Sequence, residues 1–313
     1  MIRFVARRIV ATLPVLLVVA LTVFLLLHLT PGDPAAVMAG DHAAPEDIAR
    51  IRTRLGLDQP IYLQFAWWIG RLLVGDLGQS IFSNLPVATL ILQRLEPTVS
   101  LAATTLLGSL PIAIAAGVLA AARSGGVIDR VVMLFAVLGF SLPVFVLGYC
   151  LVYLFALQWQ LVPVQGFVSI RAGLWPFLRS MALPAATLGI VYVALIARIT
   201  RASVLEVLSH DFIRTARAKG VNEVTLLLRH ALRNAAVPIV TMIGISVALL
   251  LSGSIIVESV FNLPGVGRLL MDAVLKRDYP VIQGVVLVFS CVYVLVNLVI
   301  DILYAMLDPR IRY

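Results

Sequence analysis

The sequence predicts an all-α polytopic membrane protein with six transmembrane helices and both termini on the cytoplasmic side. Three observations carry that prediction. Of the 313 residues, 61% are hydrophobic and only 13% charged, whereas soluble domains run nearer half apolar and a quarter charged. Six apolar stretches have about the 20 residues that crossing the hydrocarbon requires. The formal charge of +8 falls wholly on one side once the N-terminus is placed in the cytoplasm.

The six stretches are Ile9–Leu29, Thr98–Ala121, Val131–Leu157, Leu183–Ile199, Val237–Val257 and Val281–Leu307. The fourth is the shortest. Gly and Pro inside long apolar runs suit a helical bundle; a barrel would show alternating segments of about ten residues. The first stretch follows Arg3, Arg7 and Arg8 but is too long for a signal-peptide core and lacks a cleavage site, so it reads as a retained signal anchor. Three segments result: 1–29 with the first span, an outer helical segment 30–97, and a five-helix core 98–313.

Charge sets the orientation. The inner segments hold fourteen basic residues and six acidic ones, and the outer segments hold ten of each. That is the positive-inside pattern. A basic inner face against anionic lipid accounts for the sequence pI of about 10.0 without any nucleic acid.

The outer segment is too long for a bare loop. Pro45, Glu46 and Asp47 open a helix carrying Ile48, Ile51 and Leu55, with Gly56 as its stop. A second helix runs through Tyr62, Phe65, Ile69 and Leu72, and Trp67 and Trp68 suit the membrane interface. Such a segment is either a lid on the bundle or a docking surface for a soluble partner.

The inner loop between spans four and five, about 200–236, is the most informative. Arg214-Thr-Ala-Arg-Ala-Lys-Gly220 and Arg229-His-Ala-Leu-Arg-Asn234 form a basic, helix-forming island between apolar runs. One helix is predicted over Val204–Lys219, broken or capped by Gly220. A second starts at the N-cap Asn222, with Val224, Leu227, Leu228, Ala231, Leu232 and Ala235 on one face. A helix lying on the lipid surface would show the same periodicity as one that docks a partner.

The chemistry that the sequence excludes narrows the function. There is no Gly-x-x-x-x-Gly-Lys-Ser/Thr loop, and the only lysines are Lys219 and Lys276. His-Glu-x-x-His is absent, and neither Cys150 nor Cys291 belongs to a metal-ligand spacing. Gly139-Phe-Ser141-Leu142 resembles an intramembrane protease nucleophile, but His28, His42, His210 and His230 all lie at other depths. Pro143 marks a bend in span three instead. Asp301, with Asn297 one turn earlier, is the ionisable group inside a span. It is read as a functional carboxylate or as a structural group near the interface.

Six motifs in order resemble the permease subunits of bacterial ATP-binding-cassette importers of the dipeptide/oligopeptide/nickel family, nearest to the dipeptide and glutathione permeases. They are Leu29-Thr-Pro-Gly-Asp-Pro34, Leu55-Gly-Leu-Asp-Gln-Pro60, Gly75-Asp-Leu-Gly-Gln-Ser80, Thr215-Ala-Arg-Ala-Lys-Gly220 with Arg229–Asn234, Glu258-Ser-Val-Phe-Asn-Leu-Pro-Gly-Val-Gly-Arg268, and Arg277-Asp-Tyr-Pro280. Against the general coupling motif, Arg214 stands where Glu is usual and Thr215 where Ala is usual, while Ala216 and Gly220 remain.

The resemblance implies a type I importer permease, without catalysis of its own, in the bacterial inner membrane. It implies a second homologous permease, two ATPase subunits that use ATP and Mg, and an extracytoplasmic substrate-binding protein. Arg214, Thr215, Ala216, Arg217, Ala218, Lys219 and Gly220 would contact the ATPase. Asp33, Asn262, Pro264 and Arg268 would meet the binding protein. Ser141, Ser246, Ser252, Asn297 and Asp301 would line the path. The alternative is a secondary transporter driven by an ion gradient, which usually needs ionisable groups near the midplane.

Overall fold

The computed structural model describes residues 2–29, 35–36, 44–54 and 58–307. Its regular structure is helical, apart from an isolated antiparallel bridge between Gln79 and Pro86. In chain order the helices are α1 (Ile2–Leu29), α2 (Pro45–Arg54), α3 (Ile61–Leu73), α4 (Val87–Ala122), α5 (Val127–Ser141) and α6 (Val144–Leu151). A π-helical stretch, Val152–Gln158, prolongs α6. Then come α7 (Leu174–Leu208), α8 (Asp211–Ala218), α9 (Glu223–Thr225, Leu226–Ala231 and Leu232–Asn234 in succession), α10 (Ala236–Val260), α11 (Val266–Lys276) and α12 (Tyr279–Leu307).

The chain divides into two compact units. The larger, here the core unit, comprises Glu96–Gly267 and Leu295–Tyr313; the other comprises Ile2–Leu95 and Arg268–Val294.

Several helices depart from the predicted spans, each for a physical reason. Helix α4 begins at Val87, well before Thr98, because Arg94 and Glu96 mask a helix that continues past the apolar run. Its 36 residues reach about 54 Å, far beyond a hydrocarbon core of about 30 Å. Pro97 and Pro111 lie inside it, as membrane helices tolerate. Helix α7 also outruns the predicted Leu183–Ile199, covering 35 residues. It is the most enclosed of the long apolar helices, whereas α12 is the least. Arg179, Arg198 and Arg201 had cut its hydropathy short; Arg179 reaches back to the carbonyl of Leu161 at 3.0 Å.

The third apolar stretch is no single helix. Between α5 and α6 the axis turns by 107°, at the bend expected from Pro143. Leu142 is extended, with ψ 131°, because a residue preceding proline is driven out of the helical region. Among the described residues four helices are long and apolar enough to cross a membrane, and the bent pair makes five. In α1 the shorter apolar helix is Val10–Leu25.

The core unit closes around Leu101 of α4, Leu188, Tyr192 and Ile196 of α7, Leu250 and Val257 of α10, and Phe261 beyond it, all buried. In the other unit, Phe24 of α1 packs on Phe65 and Trp68 of α3, with ring centroids 5.2 and 5.7 Å away. Both outer helices form, the first as far as Arg54, with its predicted end at Leu55 and Gly56 outside the described residues; Trp68 is spent in this aromatic cluster while Trp67 stays exposed. Asp278 anchors the hairpin-like turn beyond α3, accepting from Ser80 Oγ at 2.6 Å and from the amide of Ile81 at 3.2 Å.

Candidate functional site: an inner lever and an outer clasp

The inner loop is built from three helix ends. Helix α7 stops at Leu208, where Ser209 turns its hydroxyl onto the carbonyl of Glu206 at 2.7 Å. His210 is extended, with ψ 149°, so the single predicted helix Val204–Lys219 is in fact two. Ser, a poor interior residue, competes for the backbone and ends the first. Helix α8 follows and is short and two-faced. Ile213 is fully buried and Ala216 half-buried. They sit in an apolar cluster with Val118 and Ala121 of α4, Val204 and Val207 of α7, and Leu226, Ala231, Ala235 and Ile239. Arg214, Thr215, Arg217, Ala218, Lys219 and Gly220 are exposed.

The end of α8 is a complete Schellman cap. The amide of Gly220 donates to Arg217 O at 2.9 Å, and that of Val221 to Ala216 O at 3.2 Å. Gly220 has φ +79°, a left-handed backbone that glycine adopts without a Cβ penalty. Asn222 then caps α9 as expected, its Oδ1 accepting from Thr225 N at 2.8 Å.

Across this turn Arg217 forks onto Glu223, at 2.8 and 3.3 Å. The guanidinium holds the Glu223 carboxyl below its ordinary value, and the carboxylate raises Arg217 in return.

The face predicted for α9 is partly displaced. Leu226 is fully buried, whereas Val224 and Leu228 are exposed. The cause is the π-helical stretch Leu226–Ala231, which takes more residues per turn and rotates the pattern that a 3.6 period assumes.

At the opposite end of the core unit, Glu258 in the last turn of α10 is fully buried. Thr98 Oγ donates to Glu258 Oε1 at 2.6 Å and accepts from the amide of Val266 at 2.8 Å. The amide of Leu263 donates to the carbonyl of Glu258 at 2.9 Å. Gly265 and Gly267 make room for the carboxylate: a Cβ on Gly265 would lie 2.2 Å from Glu258 Cδ. The tip that this clasp presents carries Asn262, with φ +54°, and Pro264, both exposed. Arg268 is half-buried, and Asp33 lies outside the described residues. In the sequence Glu258 stands out only as part of a motif. An acidic residue closing an apolar span, followed by Gly-x-Gly, was the signal that could have found the clasp.

The path candidates are spread over α5, α10 and α12. Ser141 is exposed and bonds Val137 O at 2.7 Å, and Ser246 is buried and bonds Met242 O at 2.8 Å. Both hydroxyls thus bind their own helices. Ser252 is exposed, and Asn297 and Asp301 are half-buried. Among the described residues no group of His, Cys, Asp and Glu could hold a metal ion.

Residues 113–313 match the family described as binding-protein-dependent transport system inner membrane component. Residues 1–102 match its N-terminal counterpart. The chain belongs to this family. It is 50% identical over 310 residues to a probable peptide ABC transporter permease protein of Sinorhizobium fredii, covering 99% of each chain. It is 46% identical over 313 residues to the glutathione transport system permease protein GsiC of Escherichia coli, covering 100% of each.

Its fold is similar to a chain in a solved structure of the MetNI methionine ABC transporter. The TM-score is 0.56 at 16% identity, covering 71% of this chain and 97% of that one. The chain is therefore a permease subunit of an ATP-binding-cassette importer in the inner membrane. Nothing observed favours the gradient-driven alternative.

Proposed function

We propose that this permease carries peptides or a peptide-like solute such as glutathione, as one of two homologous permease halves. The observation that carries the cargo reading is full-length similarity, near 50%, to relatives named for peptide and for glutathione transport. The chain crosses the membrane six times with both termini cytoplasmic. The sixth span is α1, whose apolar helix Val10–Leu25 covers about 24 Å. Such a short segment is accommodated by local thinning of the bilayer. The three-part division stands on the same reading: a first span over 1–29, an outer segment 30–97 and the core 98–313.

In this mechanism α8 is the lever. Arg214, Thr215, Ala216, Arg217, Ala218, Lys219 and Gly220 enter a cleft on one of two ATPase subunits, which bind ATP and Mg; this chain hydrolyses nothing. Supporting this is the division of α8 into a buried apolar face and an exposed basic one. Ile213 locks the lever to the span ends, so a push on its outer face moves them. The binding protein docks over Asp33, Asn262, Pro264 and Arg268. Ser141, Ser246, Ser252, Asn297 and Asp301 border a weakly polar path, so selection rests with the binding protein. ATP binding and hydrolysis bias a two-state, alternating-access equilibrium.

The test is a mild-detergent pull-down of the tagged chain expressed with its gene neighbours. Stoichiometric recovery of a Walker-motif ATPase and a second permease, with the ATPase lost on disrupting Arg214–Gly220, is the expected result. Recovery of the chain alone, still transporting in vesicles without ATP, would reject the reading. Cargo is settled separately, by uptake of labelled dipeptide against labelled glutathione in the same vesicles.

A further inference from the structure

The inner rim of the core unit carries an ion pair that neither the lever face nor the path uses. Asp129, in the first turn of α5, is 4% exposed. Its carboxylate accepts from Nε and Nη2 of Arg201 on α7, the second at 2.7 Å, and from the amide of Gly125 at 2.8 Å. One residue before Arg201, buried Thr200 meets α4. A Cβ on Gly117 would come within 2.6 Å of Thr200 Cβ and 2.7 Å of Ala197 O. Helices α4, α5 and α7 are thus held together at one level, next to the apolar cluster that seats α8.

The three are not held alike. Val118 and Ala121 of α4 and Val204 and Val207 of α7 join the cluster around Ile213, but no member of that cluster comes from α5. Helix α5 packs along α7 by apolar contact, as where Gly139 lies beside Ala194 and Ile190. Apolar contact is non-directional and lets one helix slide on another. A forked, charge-assisted pair sets register as well as proximity. Parting a buried carboxylate from its guanidinium is strongly unfavourable, so this contact survives a motion that apolar packing would absorb.

Resting on the lever reading of α8, we propose that Asp129 and Arg201 form a strut that makes the bent arm α5–α6 follow α7 whenever α8 is pushed. They are positioning residues: they touch neither the ATPase nor the cargo.

The experiment uses the complete importer in proteoliposomes, with Cys150 and Cys291 replaced by Ser. In Asp129→Asn the ATPases are recovered as before, but solute imported per ATP hydrolysed falls about tenfold, the order expected for a coupling contact; Arg201→Lys falls less. A merely structural role would lower assembly and leave that ratio alone. In a D129C/R201C variant, a short reducible thiol cross-linker restores the ratio, and reduction removes it again. An unchanged ratio in both single variants, or a cross-link that arrests import, overturns the strut; the second result would mean that the two ends must separate. A variant with Arg214–Gly220 disrupted that keeps its ATPases fully coupled would instead bring down the lever reading, and the strut with it.

Discussion

Helix α8 and the loop after α10, at the two ends of the core unit, are seated by opposite means. At the inner end, α8 is seated by apolar side chains, Ile213 above all, and its polar residues face outward. At the outer end, the loop after α10 hangs on one buried carboxylate, Glu258, bridged through Thr98 to the amide of Val266. Apolar seating tolerates small shifts, whereas a buried carboxylate with fixed donors has one good arrangement. On the proposed reading, the apolar seat of α8 suits an element that is pushed, and the clasp suits an unvarying tip at Asn262 and Pro264.

The sharpest way to break the comparison is Gly265→Val. Its Cβ would fall 2.2 Å from Glu258 Cδ, so Glu258 or the loop must move. Forced overpacking costs about 1–3 kcal/mol, and displacing a buried carboxylate adds to it. The purified complex should unfold several degrees earlier and bind its binding protein poorly, while ATPase recovery is kept. Normal binding-protein affinity in Gly265→Val would show that the clasp does not shape the tip.

Next in size is Ile213→Ala, at about 2–5 kcal/mol for a buried isoleucine. The loss falls on the seat of α8 and not on insertion, so the protein should reach the membrane yet recover little ATPase. Val224→Ala, an exposed apolar residue of α9 outside the lever, is the control, and ATPase recovery unchanged from wild type is its expected outcome. Equal recovery from both variants would deny Ile213 its anchoring role.

These contrasts also explain what the sequence could disclose. Four spans and the bent pair, among the described residues, were legible because a run of about twenty apolar residues is a local signal. So were the Asn222 cap and the left-handed Gly220, since each needs only its near neighbours. The break at Ser209–His210 was not legible, because helix propensity on both sides reads straight through it. The rotated face of α9 arises from a π-helical stretch that no fixed period anticipates. The Asp129–Arg201 and Thr98–Glu258 contacts join residues 72 and 160 positions apart. In the sequence Asp129 and Arg201 look like inner-side charges, Glu258 like a motif member and Thr98 like the start of a span.

A smaller effect comes from Gly220. A Cβ there meets nothing within 4 Å, so the cost of Gly220→Ala is the left-handed backbone alone, about 1 kcal/mol. Gly220→Asn should recover most of it, because Asn tolerates that region. Gly220→Trp, whose Cβ is equally unobstructed, should on the lever reading lower import per ATP far more than Gly220→Ala, because its ring would stand on the face proposed to meet the ATPase. Uptake assays with parallel ATPase measurements separate the three. Normal import by Gly220→Trp would remove this residue from the contact.

The smallest effect belongs to the Arg217–Glu223 fork, which is exposed and screened by salt. Because the Glu223 carboxyl is held below its ordinary value when folded, its contribution is complete above the unfolded carboxylate range. It is lost as pH falls through the lowered folded value. At neutral pH, Glu223→Gln should therefore loosen the α8–α9 turn slightly, and acidification of the wild type should approach the same state. Amide hydrogen exchange at Gly220 and Val221, whose N–H groups close the cap, reads this directly. Exchange there should quicken in Glu223→Gln at low salt and converge with wild type at high salt. No difference at low salt would mean that the Schellman cap holds the turn without the fork, and that Arg217 is free for the ATPase contact proposed for it and for Lys219.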